Sequence, residues 1–131
     1  MNLVRQFDAP VLAGTAAASA FFAGQFRPDR ESLWIAHLDD SARCVHLATI
    51  DGGAGEADFP VRQILADALL HGAAGIVLAH NHPSGDPTPS ESDRRAMRRL
   101  ASAAQAIDLE ILDHLIFAGN EVRSFRRMGL L

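Results

Sequence analysis

The sequence predicts a single mixed α/β domain in which helices cover a central β-sheet. Three observations predict it. The 131 residues are 48% hydrophobic and 21% charged, the length and composition of one compact domain with a real core. Apolar spacing alternates between the helical and the strand period, in the order α, β, β, α, β, α, β, β. No internal repeat, low-complexity linker or break in composition divides the chain.

Each element has a local reason. Residues 11–24 are rich in Ala, carry Phe21 and Phe22 with Phe26 just beyond as anchors, and read as a helix that Pro28-Asp29 ends. Two strand-like runs, 31–38 and 43–50, flank Asp39-Asp40-Ser41 and form a hairpin pattern. Asp51-Gly-Gly-Ala-Gly-Glu56 is a loop. Between Val61 and His71, the residues Ile64, Leu65, Ala68 and Leu69 recur at helical spacing, with Gly72 and Gly75 expected to close the helix. The uniformly apolar run 76–79 is of the kind found in buried strands. It leads into His80-Asn81-His82 and stops at Pro83, and Pro87 and Pro89 keep the next stretch irregular. Ser90, with Asp93 three residues on, fits the N-cap of a helix that continues to about Gln105. Residues 109–118 and 121–125 around Gly119-Asn120 form a second hairpin pattern.

Composition also excludes functions. One cysteine, Cys44, rules out a disulfide framework and a Cys-rich zinc module, and an unpaired thiol points to the cytoplasm. No apolar run is long enough to span a bilayer as a helix, so no membrane partner is expected. The formal net charge of -4 does not support a general nucleic-acid binder. The balance is uneven, because residues 94–131 hold seven of the twelve Arg. Arg94, Arg95, Arg98 and Arg99 lie beside an apolar stripe of Ala96, Met97, Leu100 and Ala104, which reads as the solvated outer face of a helix.

The chemistry concentrates at one place. His80 and His82 are two residues apart at a strand end, so both side chains leave the same face. Alone, such a pair is often just two polar residues at a sheet rim. With a carboxylate from Asp93 in the first turn of the next helix, they make the two-imidazole, one-carboxylate set of a catalytic zinc site with an open water position. Zinc there lowers the pKa of its water towards about 7, but a base must still take the proton, and spacing does not find it. His37, His46 and His71 fit no ligand spacing and read as ordinary.

The string His80-Asn-His82-Pro83, six residues, Ser90, two residues, Asp93 resembles, position for position, the JAMM (MPN-plus) metalloprotease signature. His-Asn-His-Pro-Ser-Gly85 followed by Asp-Pro-Thr-Pro-Ser90 is similar to the RadC branch of that superfamily, as are Leu112-Asp-His-Leu-Ile116 and the ending 124–131. The resemblance implies a JAMM/MPN (cytidine-deaminase-like) fold, a mixed sheet sandwiched by helices, over residues 30–131, with 1–29 as an N-terminal helical extension. It also implies one zinc ion on His80, His82 and Asp93, with Glu31 as general base and Ser90 donating to the oxyanion of a tetrahedral intermediate. On this reading the Ser90 hydroxyl serves as cap and as oxyanion donor only at different moments. The implied reaction is hydrolysis of a peptide or isopeptide bond in a peptide or protein substrate. The alternative is a DNA-repair-associated interaction module with little turnover.

The sequence departs from the pattern in two places. Around Arg62 the family tends to show Val-His-Pro-Arg-Glu, where this chain has Phe59-Pro60-Val61-Arg62-Gln63. The residues before Glu31 show no helix-hairpin-helix element, which removes the usual ground for expecting DNA binding. Strand alternation puts Asp113 and His114 on opposite faces, and both read as structural. A specificity pocket is expected from the loop 51–59 and the arm 84–89. The oligomeric state is left open between monomer and homodimer.

Overall fold

In the computed structural model, residues 9–52 and 59–131 are described. The element order is α1 (Thr15–Phe22), β1 (Ser32–Leu38), β2 (Cys44–Asp51), α2 (Val61–Leu70), β3 (Gly75–Asn81), α3 (Glu91–Gln105), β4 (Glu110–Ala118) and β5 (Glu121–Ser124). The five strands form one sheet in the order β2-β1-β3-β4-β5. Only β3 and β4 pair in parallel, and α3 is the crossover between them.

Both faces of the sheet are covered. On one, Leu33, Ile35, Ile76, Leu78 and Ile116 pack against Ile64 and Ala68 of α2 and Met97 and Leu100 of α3. On the other, Ala36, Leu38, Val77, Ala79 and Leu115 pack against Ala18 and Phe22 of α1. Every residue of the central strand β3 is buried, which explains its unbroken apolar run. Edge strand β2 instead alternates half-buried and exposed positions.

Two boundaries depart from the sequence reading. The first helix begins at Thr15, because Gly14 takes φ 86° and breaks it there. Residues before Gly14 run alongside the first hairpin: Val11 bridges Arg43, and the Leu12 N–H donates to the Ala42 carbonyl at 2.9 Å. Alanine content raised helix propensity across the whole stretch but could not signal this pairing. Gly72 closes α2 as expected, at φ 63° with the Ala73 N–H donating to the Ala68 carbonyl at 2.9 Å. Gly75 does not; it opens β3, where an added Cβ would stand 3.2 Å from the Leu112 side chain.

The N-cap of α3 is a closed capping box, in which the Ser90 hydroxyl accepts from the Asp93 N–H and the Asp93 carboxylate from the Ser90 N–H, both at 2.9 Å. Arg94, Arg95, Arg98 and Arg99 are exposed, as an outer helix face requires, and Arg98 pairs with Glu91 at 3.3 Å.

Candidate metal centre

The sheet topology assembles the site. Because β1 and β3 are antiparallel with Leu33 opposite His80, the start of β1 lies beside the end of β3. Glu31, just before β1, thereby comes next to His80 and His82 although 49 residues separate it from His80. One ligand atom each from Glu31, His80 and His82 lies within 4.8 Å of the others, a group able to hold a metal ion.

Asp93 enters from α3. The Nε2 atoms of His80 and His82 are 2.9 Å apart, and Asp93 Oδ2 lies 3.6 Å from the first and 3.3 Å from the second. Four coordinating atoms around zinc at about 2.0–2.1 Å stand roughly 3.3 Å from one another, and these separations bracket that value. His80 and Asp93 are buried, while His82 and Glu31 are half-buried, so the cluster opens to solvent on one side.

Neighbouring groups fix the imidazoles. His82 Nδ1 lies 2.8 Å from the Asp86 carbonyl, which can only accept; that nitrogen therefore carries the proton and Nε2 turns into the site. His80 Nδ1 lies 2.6 Å from Nε2 of His114, itself fully buried and stacked on Phe125. The arm 83–89 is folded on itself, with the Gly85 N–H donating to the His82 carbonyl at 3.0 Å and Pro87 and Pro89 buried.

Electrostatics favour a cation here. Burial opposes ionisation of Asp93, yet the His80 and His82 imidazoles overcome it and hold the carboxyl well below its ordinary range. The hydrogen bond to Asp93 raises the His82 pKa against a smaller opposing effect of burial. His114 is pushed well below the usual histidine range, by burial first and then by His80. Two imidazole nitrogens facing each other across 2.9 Å beside a carboxylate are a donor set that a divalent ion fits.

The family model described as "RadC-like JAB domain" matches residues 13–130. The chain belongs to the RadC-like JAB domain family. Its five-strand mixed sheet with three helices is consistent with the JAB/MPN fold. It is 39% identical to the UPF0758 protein YeeS of Escherichia coli K12 over 104 residues, which are 79% of this chain and 70% of that protein. A second protein of that organism, YfjY, is 36% identical over 79% of this chain and 65% of its own length. A UPF0758 protein of Vibrio atlanticus is 41% identical over 76% of this chain but only 45% of its own length. The RadC-like chain thus spans between about half and two thirds of the length of several relatives it matches.

Within this RadC-like domain the structure brings His80, His82, Asp93 and Glu31 together, with Ser90 at the cap beside them. The cap uses a lone pair of the Ser90 oxygen, so its O–H hydrogen stays available to donate while the cap is closed. The two uses of Ser90 are therefore compatible, against the expectation that they alternate in time. Asp113 is held inside the scaffold, accepting from Ser124 Oγ at 2.6 Å and from Thr15 Oγ1 at 3.2 Å.

His114 is the residue that sequence reasoning missed, because its contact with His80 depends on parallel register. Leu78 pairs with His114, which puts that imidazole diagonally beside His80 on the same face. A cavity of about 260 Å³ beside the site includes Gly85 of the expected arm in its lining. Phe26, Arg27, Pro28, Asn81, His82 and Phe117 also line it. Residues 53–58 of the expected loop wall lie outside the described residues. Among the described residues, no helix is long and apolar enough to cross a membrane.

Proposed function

We propose that this RadC-like domain is a zinc-dependent hydrolase of peptide or isopeptide bonds. The observation that carries the reading is the convergence of the two Nε2 atoms and Asp93 Oδ2 within 3.6 Å, with Glu31 against the same imidazoles. His80, His82 and Asp93 are the proposed ligands. Asp93 is preferred to Glu31 as the third ligand because it is buried and its carboxylate is pinned by the Ser90 N–H, whereas Glu31 is only half-buried. Zinc bound there supplies a Lewis acid and a water poised for attack at neutral pH.

The remaining work falls to the chain. Glu31 takes the proton of the attacking water and passes it to the leaving amine. The Ser90 hydroxyl donates to the oxygen that gains charge as the amide carbon becomes tetrahedral. His114 and the Asp86 carbonyl hold the two imidazoles in the orientation the ligand set needs. The cavity beside His82, with Phe26 and Phe117 in its wall, receives part of a peptide or protein substrate.

The test is metal analysis of protein purified without chelator, followed by exposure of the zinc-loaded protein to a degenerate peptide library read by mass spectrometry. Near one equivalent of zinc is expected in wild type and in Glu31→Gln, and little in His80→Ala or Asp93→Asn, with cleavage in wild type only. Zinc retained by Asp93→Asn but lost from Glu31→Gln would exchange the roles of the two carboxylates. Wild-type protein without metal would remove the enzyme reading.

A further inference from the structure

The middle residue of the His-Asn-His string takes no part in the proposed chemistry, yet it is 5% exposed and fully hydrogen-bonded. Asn81 Oδ1 accepts from the Ser32 N–H at 2.8 Å, and Nδ2 donates to the carbonyls of Arg30 at 2.8 Å and Arg27 at 3.1 Å. Only one orientation of the amide satisfies all three, since an N–H must meet an acceptor and each carbonyl a donor. Two of these anchors are the backbone groups immediately before and after Glu31. The Glu31 carbonyl is held as well, accepting from the Gly52 N–H at 2.9 Å.

Being one residue from His80 and from His82, Asn81 points to the opposite face of the strand end from both. It therefore grips the incoming segment from the side away from the imidazoles. We infer that Asn81 is a positioning residue that fixes the Glu31 carboxylate against the His80 and His82 imidazoles by clamping the backbone on either side of it. The same clamp holds Arg27 and Pro28 where they wall the cavity beside His82. An apolar side chain offers neither donor nor acceptor to Arg30 and Ser32, and a carboxylate cannot donate to the carbonyls. The inference rests on the metal reading of the site and adds a residue to it.

The test uses the Co²⁺-loaded full chain, because cobalt in a tetrahedral nitrogen and oxygen site has a visible spectrum that follows ionisation at the metal. Asn81→Ala and Asn81→Ser are expected to bind one equivalent of Co²⁺, as wild type does. The midpoint of the spectral change with pH should fall by roughly one unit in both, as is expected of Glu31→Gln, because a carboxylate within about 4–6 Å shifts a titrating neighbour by that order. Gly75→Ala, at the other end of β3, is the control for loss of stability alone and should leave the midpoint unchanged. Asn81 variants that bind Co²⁺ with the wild-type midpoint would overturn the clamp while leaving the metal site standing. Wild-type protein that takes up no Co²⁺ would overturn the metal reading and the clamp with it. Amide exchange in unsubstituted protein is a second check if the variants do not fold: the Ser32 N–H should be protected, and its rapid exchange would overturn the proposal.

Discussion

His37 offers a quantitative test of how this fold handles a buried base. It faces α2 from β1, is fully buried, and has no hydrogen-bond partner on either ring nitrogen among the described residues. Its neighbours are His46 across the strand pair, with ring centroids 5.4 Å apart, and, through His46, the stacked ring of His71 and the carboxylate of Asp67. Burial first, and then the charge of His46, lowers its pKa from 6.5 to about 4. A histidine depressed in the folded state stays neutral there while its unfolded counterpart takes up a proton. Stability from this residue is thus fully present above about pH 6.5 and is lost as the pH falls towards 4. The full loss corresponds to about 3 kcal/mol, of which about 2 kcal/mol should appear between pH 7 and pH 5.

His37→Leu removes the titrating group and the two unpaired nitrogens while filling much of the same volume. Urea unfolding at pH 7 should show the variant at least as stable as wild type, since each buried polar atom without a partner costs about 1–3 kcal/mol. At pH 5 its advantage should grow by about 2 kcal/mol. Stability curves for the two proteins that run parallel from pH 7 to pH 5 would refute the reasoning. A variant less stable at pH 7 by more than about 1 kcal/mol would do so too, by showing that the ring nitrogens are satisfied in solution.

Other outcomes follow from the same structure. His114→Phe keeps a ring against Phe125 but removes the partner of His80 Nδ1, so zinc affinity measured by competition with a chelator should weaken about 10- to 100-fold. Ser90→Ala opens the capping box and should cost about 1 kcal/mol in urea unfolding, whatever its effect on turnover. Gly75→Ala forces a methyl to 3.2 Å from Leu112 and 3.3 Å from the Glu110 carbonyl, and a loss of about 1–3 kcal/mol in thermal or urea unfolding is expected. For the interaction-module alternative, affinity for duplex DNA by fluorescence anisotropy should fall steeply with salt and depend on the exposed Arg94 and Arg99; binding that is absent or insensitive to salt removes it.

Features set within a few residues were legible in the chain. The Ser90 cap, the Gly72 stop, both hairpins and the buried run of β3 each depend on neighbours along the sequence, and each appears where local pattern placed it. The pairing of His80 with His82 belongs to the same class, because alternation along a strand fixes the face of both side chains. The start of α1 was not legible: alanine content is a weak preference, and the bridge from Val11 to Arg43 joins residues far apart in the chain.

What only the tertiary structure decided is the company these residues keep. That Glu31 meets His80 follows from antiparallel register between β1 and β3, and that His114 meets His80 follows from parallel register between β3 and β4. The sequence by itself determined a metal-ligand pattern with a carboxylate three residues into a capped helix. The sheet explains why the distant Glu31, which the resemblance had singled out, stands beside that pattern, and it alone brought in His114, because strand order and register are properties of packing among elements rather than of any one position in the chain.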